Sequence, residues 1–85
     1  MEWVIGFSNR AEKSLKHVPA ADRTRLLSAI DAMRTDPLGG DVVRLKGQPA
    51  FHRRVGSYRI IFSLNFKVLA IAIADIQRRT TTTYR

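Results

Sequence analysis

Cysteine, a long apolar run and a glycine-rich phosphate loop are all absent from this chain of 85 residues. Without cysteine the chain has no disulfide framework, no thiolate zinc site and no cysteine nucleophile. Its longest mostly apolar run, Val68 to Ala74, is far shorter than the roughly 20 residues that span a bilayer. The first five residues lack the basic and apolar regions of a secretory signal. We therefore expect one intracellular domain, residues 1–85, with no membrane association, metal or cofactor.

Acidic residues are scarce in the second half of the chain. Lys and Arg total 15 against 7 Asp and Glu, which gives a net charge of +8. Residues 1–42 hold six basic and six acidic groups, whereas residues 43–85 hold nine basic groups and only Asp75 as an acid. Charge asymmetry of this kind favours a polyanionic partner for the second half. The alternative is a surface whose charge only keeps the protein in solution.

The start of the sequence has the pattern of a strand followed by a short helix. Trp3 to Phe7 is rich in strand-forming residues. Ser8 or Asn9 can cap the helix, and Asn9 with Glu12 three residues later resembles a capping box. The helical spacing of apolar residues ends near His17.

The rest of the chain reads as one more helix and then a meander of strands. Pro19 suits the first position of the helix, and Asp36-Pro37 should end it because the residue before proline avoids helical angles. Gly56-Ser57 predicts a two-residue type II′ hairpin loop. The predicted strands are Val42 to Leu45 at an edge, Phe51 to Val55, Tyr58 to Asn65 and Val68 to Gln77. This order predicts an α+β fold with two N-terminal helices packed on one face of a small, mostly antiparallel sheet of four to five strands.

Alternation along the predicted strands sorts the basic residues between the two faces of the sheet. We assign the face with the large apolar residues to the helices. The opposite face then collects four basic residues above small ones such as Ala72 and Ala74; the four are His52, Arg54, Arg59 and Arg78. Arg53 alternates onto the helix side, where it either extends its head group to water or marks a bulge. Clustered guanidinium groups suit phosphate, because each offers a planar fork of donors and keeps its charge.

Three segments of the sequence resemble the RelE/ParE superfamily of bacterial toxins, and specifically its RelE-like ribosome-dependent mRNA interferases. These segments are Arg44 to Gly47, Arg54 to Phe62, and Ile76 to Arg79 with Tyr84-Arg85 after it. The resemblance covers nearly the whole chain. It implies a bacterial or archaeal cytoplasmic toxin with helices on a small antiparallel sheet, which cleaves mRNA in the ribosomal A site. It also implies a toxin that is monomeric alone and forms a larger complex with a RelB-like or other acidic or amphipathic antitoxin segment.

The resemblance also implies a set of catalytic residues, which are His52, Arg54, Arg59, Arg78 and Tyr84. Attack of a ribose 2′-hydroxyl on the adjacent phosphate needs a base, stabilisation of the phosphorane charge and support for the leaving oxygen. Arg59 would stabilise the phosphate, Arg78 would support the leaving oxygen and Tyr84 would stack on a base. Further RNA or phosphate contacts are expected from Arg44, Lys46, Arg53, Arg79 and Arg85.

The base is the point at which this sequence departs from the family. The best-known members carry lysines where this chain has His52 and Arg54. Arginine, with a pKa above about 12, cannot readily serve as a base, whereas histidine with a reference pKa of about 6.5 can. We therefore hypothesise that His52 is the base. Two other functions stay open at this point: a ParE-like inhibitor of DNA gyrase, and a catalytically inactive basic module that binds RNA or the ribosome.

Overall fold

The computed structural model describes residues 2–47 and 49–78. Within these residues the chain forms two helices and five strands, in the order β1 (Val4–Phe7), α1 (Asn9–Lys16), α2 (Ala20–Ala32), β2 (Val42–Arg44), β3 (Ala50–Val55), β4 (Tyr58–Asn65) and β5 (Ala70–Arg78). The strands form one sheet in the order β1-β5-β4-β3-β2. β1 pairs with β5 in parallel, and the other neighbours are antiparallel. The predicted α+β fold is confirmed.

The helix boundaries follow local capping chemistry. Ser8 is the N-cap of α1, and its hydroxyl accepts a hydrogen bond from the Ala11 N–H at 3.0 Å. The predicted capping box of Asn9 and Glu12 is therefore wrong, whereas the end of α1 at His17 is confirmed. α2 directly follows Pro19 but ends at Ala32, earlier than predicted. The chain leaves α2 through tight turns before it reaches Pro37, which could not continue a helix.

The core lies between α1, α2 and one face of the sheet. Its largest fully buried side chains are Phe62, Leu26, Met33, Ile60, Ile71 and Ile73. Phe62 also stacks on Phe51 of β3, with 5.5 Å between the ring centroids. Burial of a side chain of this size stabilises the fold by roughly 1.5–3 kcal/mol. The large apolar residues of β4 and β5 pack against α1 and α2 on this face of the sheet. Neither helix covers the opposite face.

The strand β5 contains a bulge that the sequence pattern did not reveal. Ile61 of β4 pairs with Asp75, whereas the next residue, Phe62, pairs with Ile73, so Ala74 is an extra residue in β5. Beyond a bulge the alternation of side chains between the faces reverses. Ile76, which regular alternation from Ala72 and Ala74 would put on the uncovered face, is therefore in the core with 5% exposure. Arg78, two residues further along β5, lies on the same side as Ile76 and not on the face predicted for it.

The turns on either side of β4 show one prediction confirmed and one boundary shifted. A type II′ turn has a positive φ at its first central residue and not at its second. Gly56, the first, has a φ of 57°, and Ser57, the second, has no positive φ. After β4, the Asn65 side-chain oxygen accepts hydrogen bonds from the N–H groups of Lys67 and Val68. Leu69 has a φ of 53° and belongs to this turn, so β5 begins at Ala70 rather than at Val68. In the described residues no helix is long and apolar enough to cross a membrane.

Candidate nucleic-acid interface

The face of the sheet opposite α1 and α2, called the open face from here on, changes in character from one end to the other. Residues that are paired between neighbouring strands share a face, so the pairing registers define rows across it. The first rows are small or neutral: Val4, Ala70 and Asn65, then Gly6, Ala72, Ser63 and Ala50. The next are Asp75, Ile61, His52 and Val43, and finally Gln77, Arg59 and Arg54. The basic residues of the open face are thus gathered at one end.

Arg59 lies at the centre of the last row, between β3 and β5. Its side chain is half-buried, and its Nε is buried with no hydrogen-bond partner among the described residues. Buried N–H groups without an acceptor are rare in folded proteins, and each needs an explanation. An oxygen of a bound anion would supply the acceptor. Arg59 is therefore the strongest single indication of a phosphate site on this face.

Arg54 lies directly opposite Arg59 on β3, but its guanidinium already has an anionic partner. Its Nε and Nη2 donate to the two carboxylate oxygens of Asp41 at 2.9 and 3.0 Å, and its backbone N–H donates to the Asp41 carbonyl at 2.9 Å. The hydrogen bond and the charge of Asp41 raise the pKa of Arg54 above its ordinary value. Two cations directly opposite each other on a sheet repel, and Asp41 offsets this repulsion.

His52 lies one row away from the two arginines. It is paired with Ile61, so that Arg59, two residues before Ile61, is its diagonal neighbour. Diagonal neighbours on an antiparallel pair are about 7–8 Å apart, which is within the joint reach of a histidine and an arginine on one phosphodiester. The predicted grouping of His52, Arg54 and Arg59 on one uncovered face is confirmed.

The predicted position of Arg78 is wrong. Because of the bulge, Arg78 is paired with Tyr58, whose side chain is buried on the helix side, and Gln77 takes the position opposite Arg59. Sequence reasoning therefore missed Gln77 and its neighbour Asp75. An acid within an otherwise apolar strand was the available signal that the strand was not regular.

The other predicted phosphate contacts lie away from the open face where the structure describes them. Arg53 alternates onto the helix side without a bulge in β3, and its Nη1 donates to the Ala29 carbonyl of α2 at 3.4 Å. Arg44 is paired with Phe51 on the edge strand, and it lines a groove of about 460 Å³ with Lys46 beside the β2–β3 turn. Three further predicted residues, Arg79, Tyr84 and Arg85, lie outside the described residues.

Metal chemistry has no candidate centre within residues 2–47 and 49–78. No group of three or more His, Asp or Glu side chains there is arranged to hold a metal ion. The open face offers fixed positive charge, one imidazole, neutral hydrogen-bonding groups and the carboxylate of Asp75. This set suits binding of a phosphodiester and proton transfer beside it.

Solved structures share this architecture over most of the chain. The archaeal RelE–RelB complex from Pyrococcus horikoshii OT3 matches with a TM-score of 0.85 and 27% identity, over 96% of this chain and 100% of that chain. The RelB–RelE antitoxin–toxin complex from Methanococcus jannaschii matches with a TM-score of 0.71 and 28% identity, over 85% of this chain and 87% of that chain. The isolated E. coli RelE toxin, at 14% identity, shares the fold with a TM-score of 0.82, over 94% of this chain and 87% of that chain. No protein-family model and no curated protein matches the sequence.

These likenesses cover 85 to 96% of the chain, and two of them exceed one quarter identity. The chain has the RelE-like fold of the RelE/ParE superfamily. The matched chains are RelE toxins, solved alone or in complexes with the RelB antitoxin. The resemblance stated from the sequence is confirmed at this level.

Proposed function

We propose that this protein is a ribosome-dependent endoribonuclease that cleaves mRNA in the ribosomal A site and so stops translation. The observation that supports the proposal is the pairing of Arg54 with Arg59 on an uncovered sheet face, with His52 at a diagonal position. The buried Arg59 Nε without an acceptor among the described residues adds to it. A scissile phosphate bound there would meet both a fixed cation and a group able to accept a proton.

The proposed reaction is an internal transesterification. The imidazole of His52 takes the proton from a ribose 2′-hydroxyl, and the 2′-oxygen forms a bond to the adjacent phosphorus. The bond from phosphorus to the 5′-oxygen then breaks, which leaves a 2′,3′-cyclic phosphate and a 5′-oxygen that takes a proton from solvent water. The imidazolium of His52 returns its own proton to the solvent. Arg59 stabilises the negative charge on the phosphorane oxygens, because a preorganised donor acts where the charge develops.

Two further roles come to the proposal from the family resemblance. Arg78 would support the leaving oxygen, and because it is the last residue of β5 and exposed, its side chain would act around the end of that strand. Tyr84 would stack on a base. With few groups for acid–base work, the toxin would depend on the ribosome to hold the mRNA in a reactive geometry.

The proposed partner that restrains this activity is a RelB-like antitoxin. The matching structures from Pyrococcus horikoshii OT3 and Methanococcus jannaschii are complexes with RelB. In this chain a groove of about 580 Å³ has an apolar floor of Phe7, Leu15 and Leu27 beside α1 and α2. Glu12, Lys16 and Arg23 also line it. An amphipathic segment with acidic residues would match both this groove and the net charge of +8. Co-purification with the product of the adjacent reading frame tests the partner, and the purified toxin alone should be monomeric.

A programmed-ribosome cleavage assay tests the enzymatic proposal. Arg59→Ala should lower the cleavage rate by at least about 100-fold, the usual effect of removing one oxyanion-stabilising donor. His52→Ala should lower it by about 10² to 10⁴, as for a general base. Arg34→Ala removes the same charge from an exposed position just after α2, where Arg34 pairs with Asp31, and should leave the rate unchanged.

Each alternative function has a distinct outcome in this experiment. If His52→Ala kept most of the activity while Arg59→Ala lost it, the role of His52 as the base would be wrong. A wild-type toxin that spares mRNA but blocks supercoiling by DNA gyrase would be ParE-like. One that arrests growth with neither activity would be a binding module. Mapping of mRNA 5′ ends after induction should show cuts in phase with codons.

A further inference from the structure

The second half of β5 is shaped by α1 rather than by another strand. β1 pairs with β5 only as far as Ile73, because β1 ends at Phe7. From there α1 lies along the edge of β5, and the Ser8 hydroxyl donates to the Ala74 carbonyl at 2.6 Å. This contact joins the helix to the extra residue of the bulge. The bulge is therefore held by a specific partner and is not a loose irregularity.

The carboxylate of Asp75 connects α1, the bulge and the open face. Its Oδ1 accepts hydrogen bonds from the Ser14 hydroxyl and from the Ile76 backbone N–H, both at 2.8 Å. Its Oδ2 accepts one from the side-chain Nε2 of Gln77 at 3.2 Å. Asp75 is the only acid among residues 43–85, and its carboxylate accepts hydrogen bonds from all three of these donors. The carboxylate thus fixes where the Gln77 amide lies.

Gln77 is the residue directly opposite Arg59 on the open face. Paired residues have their Cβ atoms about 4.5–5.5 Å apart, so a nucleotide whose phosphate contacts Arg59 would have its ribose or base beside the Gln77 amide. Since one amide N–H is held by Asp75, the carbonyl oxygen and the second N–H remain for a ligand. The side chain is exposed at this point.

We infer that Gln77 is an RNA-binding residue, which hydrogen-bonds a ribose hydroxyl or a base edge of the nucleotide whose phosphate lies on Arg59. Asp75 and Ser14 are positioning residues that hold the Gln77 amide in place. The inference rests on the proposed binding of RNA to the open face, but it does not require cleavage. Gln77 is neutral, so its contribution differs in kind from that of the arginines, which act on the phosphate charge.

Binding of a labelled single-stranded RNA to the purified toxin, measured by fluorescence anisotropy over a series of salt concentrations, tests this inference. Gln77→Ala should weaken binding by about two- to tenfold, which is the effect of losing one or two net hydrogen bonds. The slope of log K against log salt should not change, because a neutral side chain releases no counterion. Arg59→Ala should instead reduce the slope by about 0.7, the value for one phosphate contact on a single strand.

A double-variant comparison separates positioning from a general structural effect. Asp75→Asn releases the Gln77 amide, so Gln77→Ala should cost less RNA affinity in the Asp75→Asn background than in the wild type. The charge removed with Asp75 acts equally on both sides of this comparison and cancels from it. Ser14→Ala, a milder change, should show a smaller loss with the same non-additivity, while Ser28→Ala on the exposed side of α2 serves as its matched control. Thermal unfolding checks that each variant is folded.

The outcomes decide both the inference and its chemical detail. Wild-type affinity in Gln77→Ala, or fully additive losses in the double variant, would overturn the inference. If Gln77→Ala affects RNA but not DNA of the same sequence, the partner is the ribose 2′-hydroxyl, and an equal effect on both identifies a base edge. A toxin that binds RNA in this way but does not cut mRNA on ribosomes would refute the proposed function alone.

Discussion

Removal of the charge of Asp41 should release the guanidinium of Arg54 for phosphate. In the structure the Nε and Nη2 groups of Arg54 donate to the carboxylate oxygens of Asp41 at 2.9 and 3.0 Å. The side chains of Arg54 and Asp41 are 43% and 52% exposed. Exposed ion pairs contribute little to stability, so Asp41→Asn should leave the fold intact. It also removes the group that offsets the repulsion between Arg54 and Arg59, which makes an anion between them more favourable.

The size of the effect follows from counterion release. One additional phosphate contact on single-stranded RNA makes the slope of log K against log salt more negative by about 0.7. Between 50 and 200 mM salt, the Asp41→Asn variant should then lose about 2.6-fold more affinity than the wild type loses. At the lower salt concentration it should bind more tightly than the wild type. Fluorescence anisotropy with a labelled RNA in the presence of a chelator measures both quantities.

Two further variants make this prediction refutable. Arg54→Ala should have little effect on the salt slope in the wild type, because the guanidinium of Arg54 is bound to Asp41 there. In the Asp41→Asn background, Arg54→Ala should return both the slope and the affinity to the wild-type values. Asp31→Asn, which breaks the exposed pair with Arg34 on the helix side, is the matched control and should leave the slope unchanged. An unchanged slope in Asp41→Asn would show that Arg54 does not contact phosphate when it is free to do so.

Two predictions concern stability. Phe62→Ala removes a fully buried ring that stacks on Phe51, and it should lower the free energy of unfolding by about 3–5 kcal/mol in a urea titration; a loss below about 1 kcal/mol would contradict the assigned core. Gly56→Ala should destabilise by about 1 kcal/mol or more, because a side chain is strained at a φ of 57° and its Cβ would lie 3.2 Å from the Arg25 guanidinium. Gly6→Ala, with open space around the new Cβ, is its control, and equal stability of the two variants would refute the role of the turn.

Local patterns were enough to predict most of the fold. The change from helical to strand spacing after Gly40, and the glycine at the β3–β4 turn, placed the elements within a few residues. Alternation assigned His52, Arg54 and Arg59 to one face correctly because β3 and β4 pair without interruption. In that region each side chain's direction depends only on its place along a regular strand.

The errors arose where distant residues decide the local conformation. The bulge in β5 is held by Ser8 and Ser14, which lie 66 and 61 residues before their partners in the sequence. The one signal within β5 was the acid Asp75, which does not by itself fix where a bulge falls. The exchange of Arg78 for Gln77 on the open face follows from that bulge. The Arg54–Asp41 pair has the same origin, because an acid just after a glycine loop carries no sign of the strand that it will contact.

The parallel pairing of β1 with β5 joins two ends of the described chain, and it therefore constrains when the protein can fold. Val4 pairs with Ala70, and the bulge needs the contact between Ser8 and Ala74, which are 66 residues apart in the sequence. Contacts of such long sequence separation form late, since the entropy of closing the intervening loop must be overcome first. During synthesis the sheet cannot close, and Gln77 cannot take its place beside Arg59, until the ribosome has made β5. The open face is therefore incomplete in the nascent chain for most of its translation.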